Sequence, residues 1–264
     1  MPLIAITREV SPSINRCELS FHARHPIDVA RAIAQHQAYQ DRLAQLDVRI
    51  VSLPAEPELP DAVFVEDAAI VLDELAIIPI MGAPSRRPET RSVIGTLSHY
   101  RPIKSLVEPA TLDGGDVLCA GRFVFVGLSQ RTNREGFSQL QKLLDPYGYQ
   151  VESVEVSGCL HLKSACSYIG KNTLLINRSL VDLKPFRGLQ LIDVPDEEPA
   201  GANALAVNGT VVIAACFPKT IALLERQGFQ VQMIDVSELQ KAEAGVTCCS
   251  LVFGEEPGTS RTGA

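Results

Sequence analysis

A ten-residue segment that occurs twice, with a shorter third copy, constrains the fold of this chain more than any other feature. Residues 148–157 (GYQVESVEVS) match residues 228–237 (GFQVQMIDVS), and residues 188–195 (GLQLIDVP) repeat the pattern more briefly. Each copy opens with a glycine suited to end a helix and continues as a strand. An amphipathic segment precedes each of the two longer copies. The sequence therefore predicts repeated helix–strand units.

Counting strand ends extends the repeat over the whole chain. Looser copies precede the three clear ones, and the five strand ends fall at Leu53, Val107, Val156, Val194 and Val236. Their spacing, about 38 to 54 residues, is typical of a solenoid or propeller. We therefore expect one α/β domain over residues 1–264 rather than two unrelated domains.

Chemically capable side chains follow several of these strand ends. Cys248 lies in the segment GVTCCS, His161 in GCLHLK and Asp113 in TLDGGD, while Asp61 and the pair Glu66–Asp67 flank an apolar run. A lone cysteine is most often a small packing residue. If the units close into a ring, however, these loops converge on one axial mouth, and a cysteine beside a histidine and carboxylates favours nucleophilic catalysis.

Composition and charge exclude several classes of protein. The formal net charge of −7 argues against nucleic acid as a partner and mildly favours cationic ligands. No apolar run approaches the roughly 20 residues of a membrane span, and the N-terminal segment lacks a signal-peptide pattern. Seven cysteines without a Cys-x-x-Cys spacing indicate reduced thiols rather than disulfides or structural zinc. We therefore expect a cytoplasmic protein.

Local patterns predict individual elements around these candidates. Residues 8–26 form a long polar segment without periodicity, which predicts a lid loop. Asp28 is a helix-start signal for an amphipathic helix whose buried face would include Ile33, His36 and Tyr39. His36 is expected to be a half-buried, hydrogen-bonded histidine, and residues 60–67 are expected to form a strand.

Six ordered motifs resemble those of a known family. They are LPDAVFVED (59–67), GAPSRR (82–87), TLDGGDVL (111–118), RTN (131–133), HLKS (161–164) and TCCS (247–250). Together they resemble dimethylarginine dimethylaminohydrolases, members of the pentein superfamily of guanidine-modifying enzymes, over about residues 19–251. The resemblance implies a pentein α/β-propeller, with five pseudo-repeated ββαβ units around a central channel. It also implies hydrolysis of asymmetric dimethylarginine or monomethylarginine to citrulline and dimethylamine or methylamine.

The resemblance assigns three residues to the reaction. Cys248 would attack the guanidinium carbon, His161 would pass a proton to the leaving amine and later take one from water, and Asp113 would orient His161. These roles fit residue chemistry, because a guanidinium carbon is a poor electrophile that needs a soft, strong nucleophile. Cys249 is expected to pack beneath the site.

The resemblance also implies a set of substrate-binding positions: Leu19, Asp61, Glu66, Asp67, Arg86, Arg131 and Ala242. Glu66 would accept the guanidinium N–H groups, and Asp61 and Asp67 would hold the substrate nitrogens or shape that pocket. The arginines would clamp the substrate α-carboxylate with their planar forks. Leu19 and Ala242 would accept from the α-amino group through backbone carbonyls. The chain departs from the family pattern at Ala242, where a bulkier residue is usual, and at Glu243, where aspartate is usual.

Alternative functions remain open at this stage. No cofactor is expected and no metal is required, although adventitious zinc could bind Cys248 and His161. The other candidates are a different pentein activity, such as arginine deiminase or amidinotransferase, and a non-enzymatic protein that binds a cationic amino acid. Lys163 stands where deiminases carry an aspartate, which favours methylated arginine. The expected partner is this small-molecule substrate rather than nucleic acid or a membrane, and a homodimer is left open.

Overall fold

Five small sheets make up the computed structural model, which describes residues 2–255. The strands are β1 Leu3–Arg8, β2 Val48–Leu53, β3 Ile70–Val71, β4 Ala76–Ile78, β5 Ile103–Ser105, β6 Val117–Ala120, β7 Phe123–Leu128, β8 Gln150–Glu155, β9 Cys166–Tyr168, β10 Thr173–Ile176, β11 Gln190–Asp193, β12 Ala204–Val207, β13 Thr210–Ala214, β14 Gln230–Ile234 and β15 Leu251–Gly254. The α-helices are α1 Val29–Gln45, α2 Thr90–Leu97, α3 Arg134–Leu144, α4 Leu162–Ala165, α5 Pro218–Arg226 and α6 Ser237–Gln240.

Every sheet has three strands and the same pairing pattern. The orders are β15-β1-β2, β3-β4-β5, β6-β7-β8, β11-β10-β9 and β12-β13-β14. The middle strand pairs antiparallel with one neighbour and parallel with the other, as where β7 meets β6 and β8. A parallel pair needs a crossover, and α1, α2, α3 and α5 supply it in four units. The fourth unit crosses through a short 3-10 helix, Lys184–Phe186, which contains a proline.

The repeated glycines end the crossovers as the sequence predicts. Gly148, Gly188 and Gly228 have φ angles of 73°, 93° and 78°. This left-handed backbone conformation is readily adopted by glycine because it has no Cβ. The parallel strands β8, β11 and β14 each begin two positions later, so the prediction of five pseudo-repeated ββαβ units is confirmed, with an α-helix missing from the fourth.

The apolar core shows how the five units are arranged. It divides into five clusters, and each cluster joins two neighbouring units: Ile4 with Ile78, Ile77 with Val124, Phe125 with Ile176, Leu175 with Ile213, and Val212 with Ala5. The last cluster returns to the first unit, where β15 pairs with β1 from Leu3↔Gly254 to Ile6↔Leu251. The units therefore form a ring around a central axis, as in a pentein propeller.

Helix α1 lies beneath the segment that carries the two adjacent cysteines. Its N-cap Asp28 accepts a hydrogen bond from Arg31 N, as the helix-start signal predicts. Tyr39 is fully buried, and its hydroxyl lies 2.7 Å from Ser250 Oγ. The prediction for Ile33 is wrong, because this side chain is 51% exposed while Ala32 takes the buried position.

The strand expected over residues 60–67 is also absent. The chain turns through this region and forms a 3-10 helix, Val65–Ala68, before the two-residue strand β3. Asp61, Glu66 and Asp67 are all buried, and the turns aim their carboxylates at cations and backbone N–H groups. A buried carboxylate needs such partners, so their polar contacts override the strand pattern. Among residues 2–255, no helix has the length and apolar character needed to cross a bilayer.

Candidate active site

A small cavity brings together most of the residues predicted from sequence. Its volume is about 20 Å³, enough for roughly one water molecule. The predicted residues that line it are Asp61, Asp67, Arg86, Arg131, His161, Ala242 and Cys248. They come from the turns that follow the strands of different units, so residues remote in sequence share one wall. The predicted convergence of these loops is present in the structure.

His161 is held between two buried carboxylates. It is the N-cap residue of α4, and its Nε2 lies 3.1 Å from Asp113 Oδ2. On the other side of the ring, Nδ1 lies 3.7 Å from Asp67 Oδ1. Burial acts to lower the pKa of His161, but the charge of Asp67 and the hydrogen bond to Asp113 outweigh it and raise the pKa to about 9. His161 is therefore cationic at neutral pH.

Asp113 is oriented by three donors. Its side chain is fully buried, Oδ1 accepts from Gly82 N at 2.7 Å, and Oδ2 accepts from Arg131 Nη1 at 3.3 Å as well as facing His161. A close backbone approach underlies this arrangement, since a Cβ on Gly82 would lie 2.4 Å from the carbonyl oxygen of Arg131. Asp113 thus lies behind His161 rather than in the cavity wall.

Asp67 connects the histidine to an arginine. Its Oδ2 accepts from Arg86 Nη1 at 2.7 Å, and its Oδ1 accepts from Gly115 N at 3.0 Å. Burial alone would raise the pKa of Asp67, but the positive charges of His161 and Arg86 outweigh it and lower the pKa to about 2. Asp67 therefore stays ionised at any pH at which the protein would work.

Cys248 occupies the loop between α6 and β15. The Gly245 backbone N–H donates to its Sγ at 3.3 Å. Burial, followed by the charges of Glu66 and Asp67, raises the pKa of Cys248 well above the usual thiol value. The resting side chain is accordingly a protonated thiol that needs an added positive charge to ionise. Cys249 is fully buried in the apolar cluster beneath the site, where we expected it.

Arg86 is more heavily engaged than its sequence context suggests. Besides Asp67, it binds Glu89 in a bidentate pair, Nε to Oε1 at 3.0 Å and Nη2 to Oε2 at 2.9 Å. Burial raises the pKa of Glu89 to about 7 although Arg86 opposes the shift. Arg86 and Arg131 both line the cavity, so their role as carboxylate clamps stays a prediction, with Glu89 as an unforeseen holder of Arg86.

Glu66 lies on the far side of this wall. Its Oε1 accepts from Lys163 Nζ at 2.6 Å and its Oε2 accepts from Thr247 Oγ1 at 2.8 Å. Both Glu66 and Lys163 line a second cavity of about 220 Å³, formed by inner strands such as β6 and β15. The predicted contact between Glu66 and a guanidinium is therefore not preformed and stays a prediction.

Part of the expected lid segment is anchored over the site. The Glu243 carboxylate accepts from the backbone N–H groups of Ser20, Phe21 and His22, with Oε1 at 2.9, 2.6 and 2.6 Å. Asp61 accepts from Glu18 N at 3.1 and 3.2 Å. Leu19 lies between these two anchors and packs against the core, outside the cavity wall.

Three potential metal-ligand residues lie close together here, and the zinc pair of Cys248 and His161 expected from sequence stays a prediction. Ligand atoms of Asp67, Asp113 and His161 lie within 4.8 Å of one another. The carboxylate oxygens already accept from cationic or N–H groups, and the two ring nitrogens of His161 already face Asp113 and Asp67. An ion would have to displace those hydrogen bonds, so the donor set is occupied by the protein's own groups.

Comparison with known proteins places these residues in context. Residues 4–252 match the family model described as N,N dimethylarginine dimethylhydrolase, eukaryotic. The N(G),N(G)-dimethylarginine dimethylaminohydrolase of Pseudomonas aeruginosa is 36% identical over 89% of this chain and 92% of its own length.

Solved structures agree with this match. A cysteine-to-serine variant of the Pseudomonas aeruginosa enzyme, in complex with citrulline, superimposes with a TM-score of 0.91, is 34% identical, and covers 95% of this chain and 98% of its own. A dimethylarginine dimethylaminohydrolase with a histidine-to-glycine substitution, as an adduct with S-methyl-L-thiocitrulline, gives a TM-score of 0.91 at 34% identity over 96% of this chain and 100% of its own.

Proposed function

The chain belongs to the dimethylarginine dimethylaminohydrolase family, and from this premise we propose the residues and steps by which it hydrolyses Nω-methylated arginines. The products are citrulline and dimethylamine or methylamine. The observation that carries the assignment of residues is one cavity that joins a cysteine to a histidine held charged by two carboxylates.

The first half of the reaction replaces a C–N bond by a C–S bond. As the substrate binds, the Cys248 thiol loses its proton to solvent, Sγ attacks the guanidinium carbon, and the methylated amine departs with the proton of His161, which is left neutral. What remains is a cationic thiouronium joining the substrate carbon to Cys248. Because His161 is protonated at neutral pH, it can donate to the leaving nitrogen at once.

The second half returns the enzyme to its starting state. Water attacks the thiouronium carbon while His161 takes up one of its protons, the C–S bond breaks, and citrulline leaves. The second water proton returns to the sulfur, and the proton that the thiol released at the start is taken up by solvent or by the free amine. Asp113 and Asp67 hold the imidazole in place and stabilise its charged form through both steps.

The substrate itself supplies the charge that activates the nucleophile. In the resting site, burial and the nearby acids Glu66 and Asp67 keep Cys248 protonated. A guanidinium brought against Sγ adds a positive charge at close range and lowers that pKa. Thiolate formation is thus coupled to substrate binding, which protects the cysteine from unproductive chemistry between turnovers.

Entry of a substrate requires movement of the lid. A cavity of about 20 Å³ cannot hold an amino acid side chain. The segment 8–26 is the proposed lid of a single domain, and the hydrogen bonds that the backbone N–H groups of residues 20–22 donate to Glu243 are the contacts that opening must break. Leu19 and Ala242 would then offer backbone carbonyls to the α-amino group from opposite sides.

The ion pair between Glu66 and Lys163 favours methylated arginine over arginine as the substrate. An unmethylated guanidinium has more N–H donors to satisfy, whereas Lys163 already occupies the Glu66 carboxylate that could accept them. We infer at least about tenfold higher kcat/KM for asymmetric dimethylarginine than for arginine.

The free state of all seven cysteines supports a cytoplasmic location.

The test is product analysis with both substrates. The protein is incubated with asymmetric dimethylarginine and with arginine, and citrulline, dimethylamine and ammonia are each measured. We expect citrulline and dimethylamine from the methylated substrate, and no turnover by a Cys248→Ser variant that still binds it. Equal or faster release of ammonia from arginine would assign the protein to deiminase chemistry instead.

A further inference from the structure

One buried amide joins the loop of the nucleophile to the segment of the histidine. Asn203, just before β12, is 8% exposed. Its Nδ2 donates to Thr247 Oγ1 at 2.9 Å and to the Lys163 carbonyl at 2.8 Å, and its Oδ1 accepts from Thr247 N at 3.2 Å. Thr247 immediately precedes Cys248, and Lys163 belongs to α4, whose N-cap is His161. The side chain therefore bridges the two reacting groups from behind.

The nucleophile loop is also packed directly against this amide. A Cβ on Gly245 would lie only 2.2 Å from Asn203 Oδ1, so the loop can approach this closely only with glycine there. The same Gly245 donates its N–H to Cys248 Sγ, an interaction that favours the thiolate. The position of Asn203 thus fixes the one backbone donor that the described residues direct at the sulfur.

The place of Asn203 in the ring gives an independent reason to single it out. The turns after β2, β5, β8 and β14 supply Asp67, Asp113, His161 and Cys248 to the site. None of these four site residues comes from the fourth unit. Asn203 follows β11, the corresponding strand of the fourth unit, and fills the equivalent place with an uncharged group.

We propose that Asn203 is a positioning residue for catalysis, which holds the Gly245–Cys248 turn and the His161 segment in reactive register. The proposal rests on the proposed function only in taking Cys248 and His161 as the reacting pair. An amide suits the position because both of its N–H groups and its oxygen are used. Aspartate could accept but not donate, and it would add a negative charge near a thiol that must ionise.

The test compares Asn203→Ala and Asn203→Asp with the wild-type protein and with Asn177→Ala. Asn177 is a suitable control because its Nδ2 donates to the Pro199 carbonyl and makes no described contact with the nucleophile loop. Turnover of asymmetric dimethylarginine gives kcat and KM. A separate readout is inactivation by chloroacetamidine, a planar cation with an alkylating carbon, measured from pH 6 to pH 10 with the labelled cysteine identified by mass spectrometry.

Both Asn203 variants should lose about 100-fold in kcat with KM changed less than about threefold, because a displacement near 1 Å has this effect on reacting groups. Labelling of Cys248 at neutral pH should slow at least about tenfold, and its pH profile should move to higher pH, further for aspartate than for alanine. The Asn177→Ala protein should match wild type in both measurements.

A folded Asn203 variant with the wild-type labelling profile would overturn the proposal. A variant whose kcat falls only in proportion to its fraction of folded protein would also overturn it. If neither variant folds, Thr247→Val decides, because it removes the hydroxyl that Asn203 binds, and Thr247→Ser should restore it. An unchanged labelling profile in Thr247→Val would then overturn the proposal. Failure of the wild type to hydrolyse methylated arginine would refute the substrate assignment but leave the labelling result able to judge Asn203.

Discussion

Acid should weaken the support beneath Cys248, the proposed nucleophile, because His36 is buried in its uncharged form. This histidine lies on the inner face of α1 with 3% of its surface exposed, and it forms a hydrogen bond with the backbone of Cys249. Its Nε2 has no hydrogen-bond partner among the described residues. Burial lowers the pKa of His36 to about 4, and no carboxylate in the described part of the chain compensates.

The size of the effect follows from linkage. In the unfolded chain His36 titrates near the ordinary histidine pKa of 6.5, so between pH 6.5 and pH 4 the unfolded state binds a proton that the folded state excludes. Stability is thus retained above pH 6.5 and lost as pH falls towards 4. At about 1.36 kcal/mol per pH unit, the loss from His36 alone is about 2 kcal/mol at pH 5 and about 3 kcal/mol at pH 4.

Urea unfolding at pH 7.5 and pH 5.0 tests this with His36→Phe, which keeps the ring volume and cannot titrate. The variant should lose about 2 kcal/mol less than wild type between the two pH values, because every other group titrates equally in both proteins. A constant difference between the two proteins at both pH values would refute the reasoning. Tyr39→Phe, on the same face of α1, is the matched control and should show no pH-dependent difference.

Three other substitutions probe the remaining contacts. Gly115→Ala would place a Cβ 2.7 Å from His161 Nδ1 and should reduce kcat about 100-fold with the circular dichroism spectrum unchanged; a folded variant with normal kcat contradicts this. Lys163→Met leaves the Glu66 carboxylate buried without its cation and should cost about 3 kcal/mol in urea unfolding, recovered when Glu66→Gln is added; no recovery would mean the pair is not coupled. Glu243→Gln removes the charge from the lid anchor, so exchange of the anchored amides should accelerate about tenfold, and an unchanged rate would show that the anchor does not hold the lid.

Much of the fold can be predicted from sequence because its signals are local. A glycine that needs a left-handed backbone, followed by an alternating strand, is visible at residues 148, 188 and 228, and the structure confirms all three turns. The prediction is wrong at residues 60–67 because the partners of Asp61, Glu66 and Asp67 are remote in sequence. A strand-like pattern cannot reveal contacts made by other units of the ring.

In the candidate site, too, local motifs can be recognised from sequence, whereas contacts between distant residues cannot. Cys248, His161, Asp67 and Arg131 can be identified from reactive residue types in ordered motifs, and they do meet in one cavity. The pairing of Arg86 with Glu89 escapes such reasoning, although an arginine and a glutamate three positions apart in a turn hint at it. The bridge made by Asn203 leaves only a weak trace, a polar residue between alanines, because its partners Thr247 and Lys163 are distant in the chain.

The pairing of β15 with β1 has a consequence for how the protein is made. Ribosomes deliver the chain from its N-terminal end, and Cys248 emerges just ahead of the strand whose addition completes the ring. Earlier units can settle as they appear, with His161 and Asp113 already near each other, but the sulfur has no fixed place until residues 251–254 are available. A nascent or prematurely terminated chain should therefore lack catalytic activity, because its sulfur is not yet held beside His161.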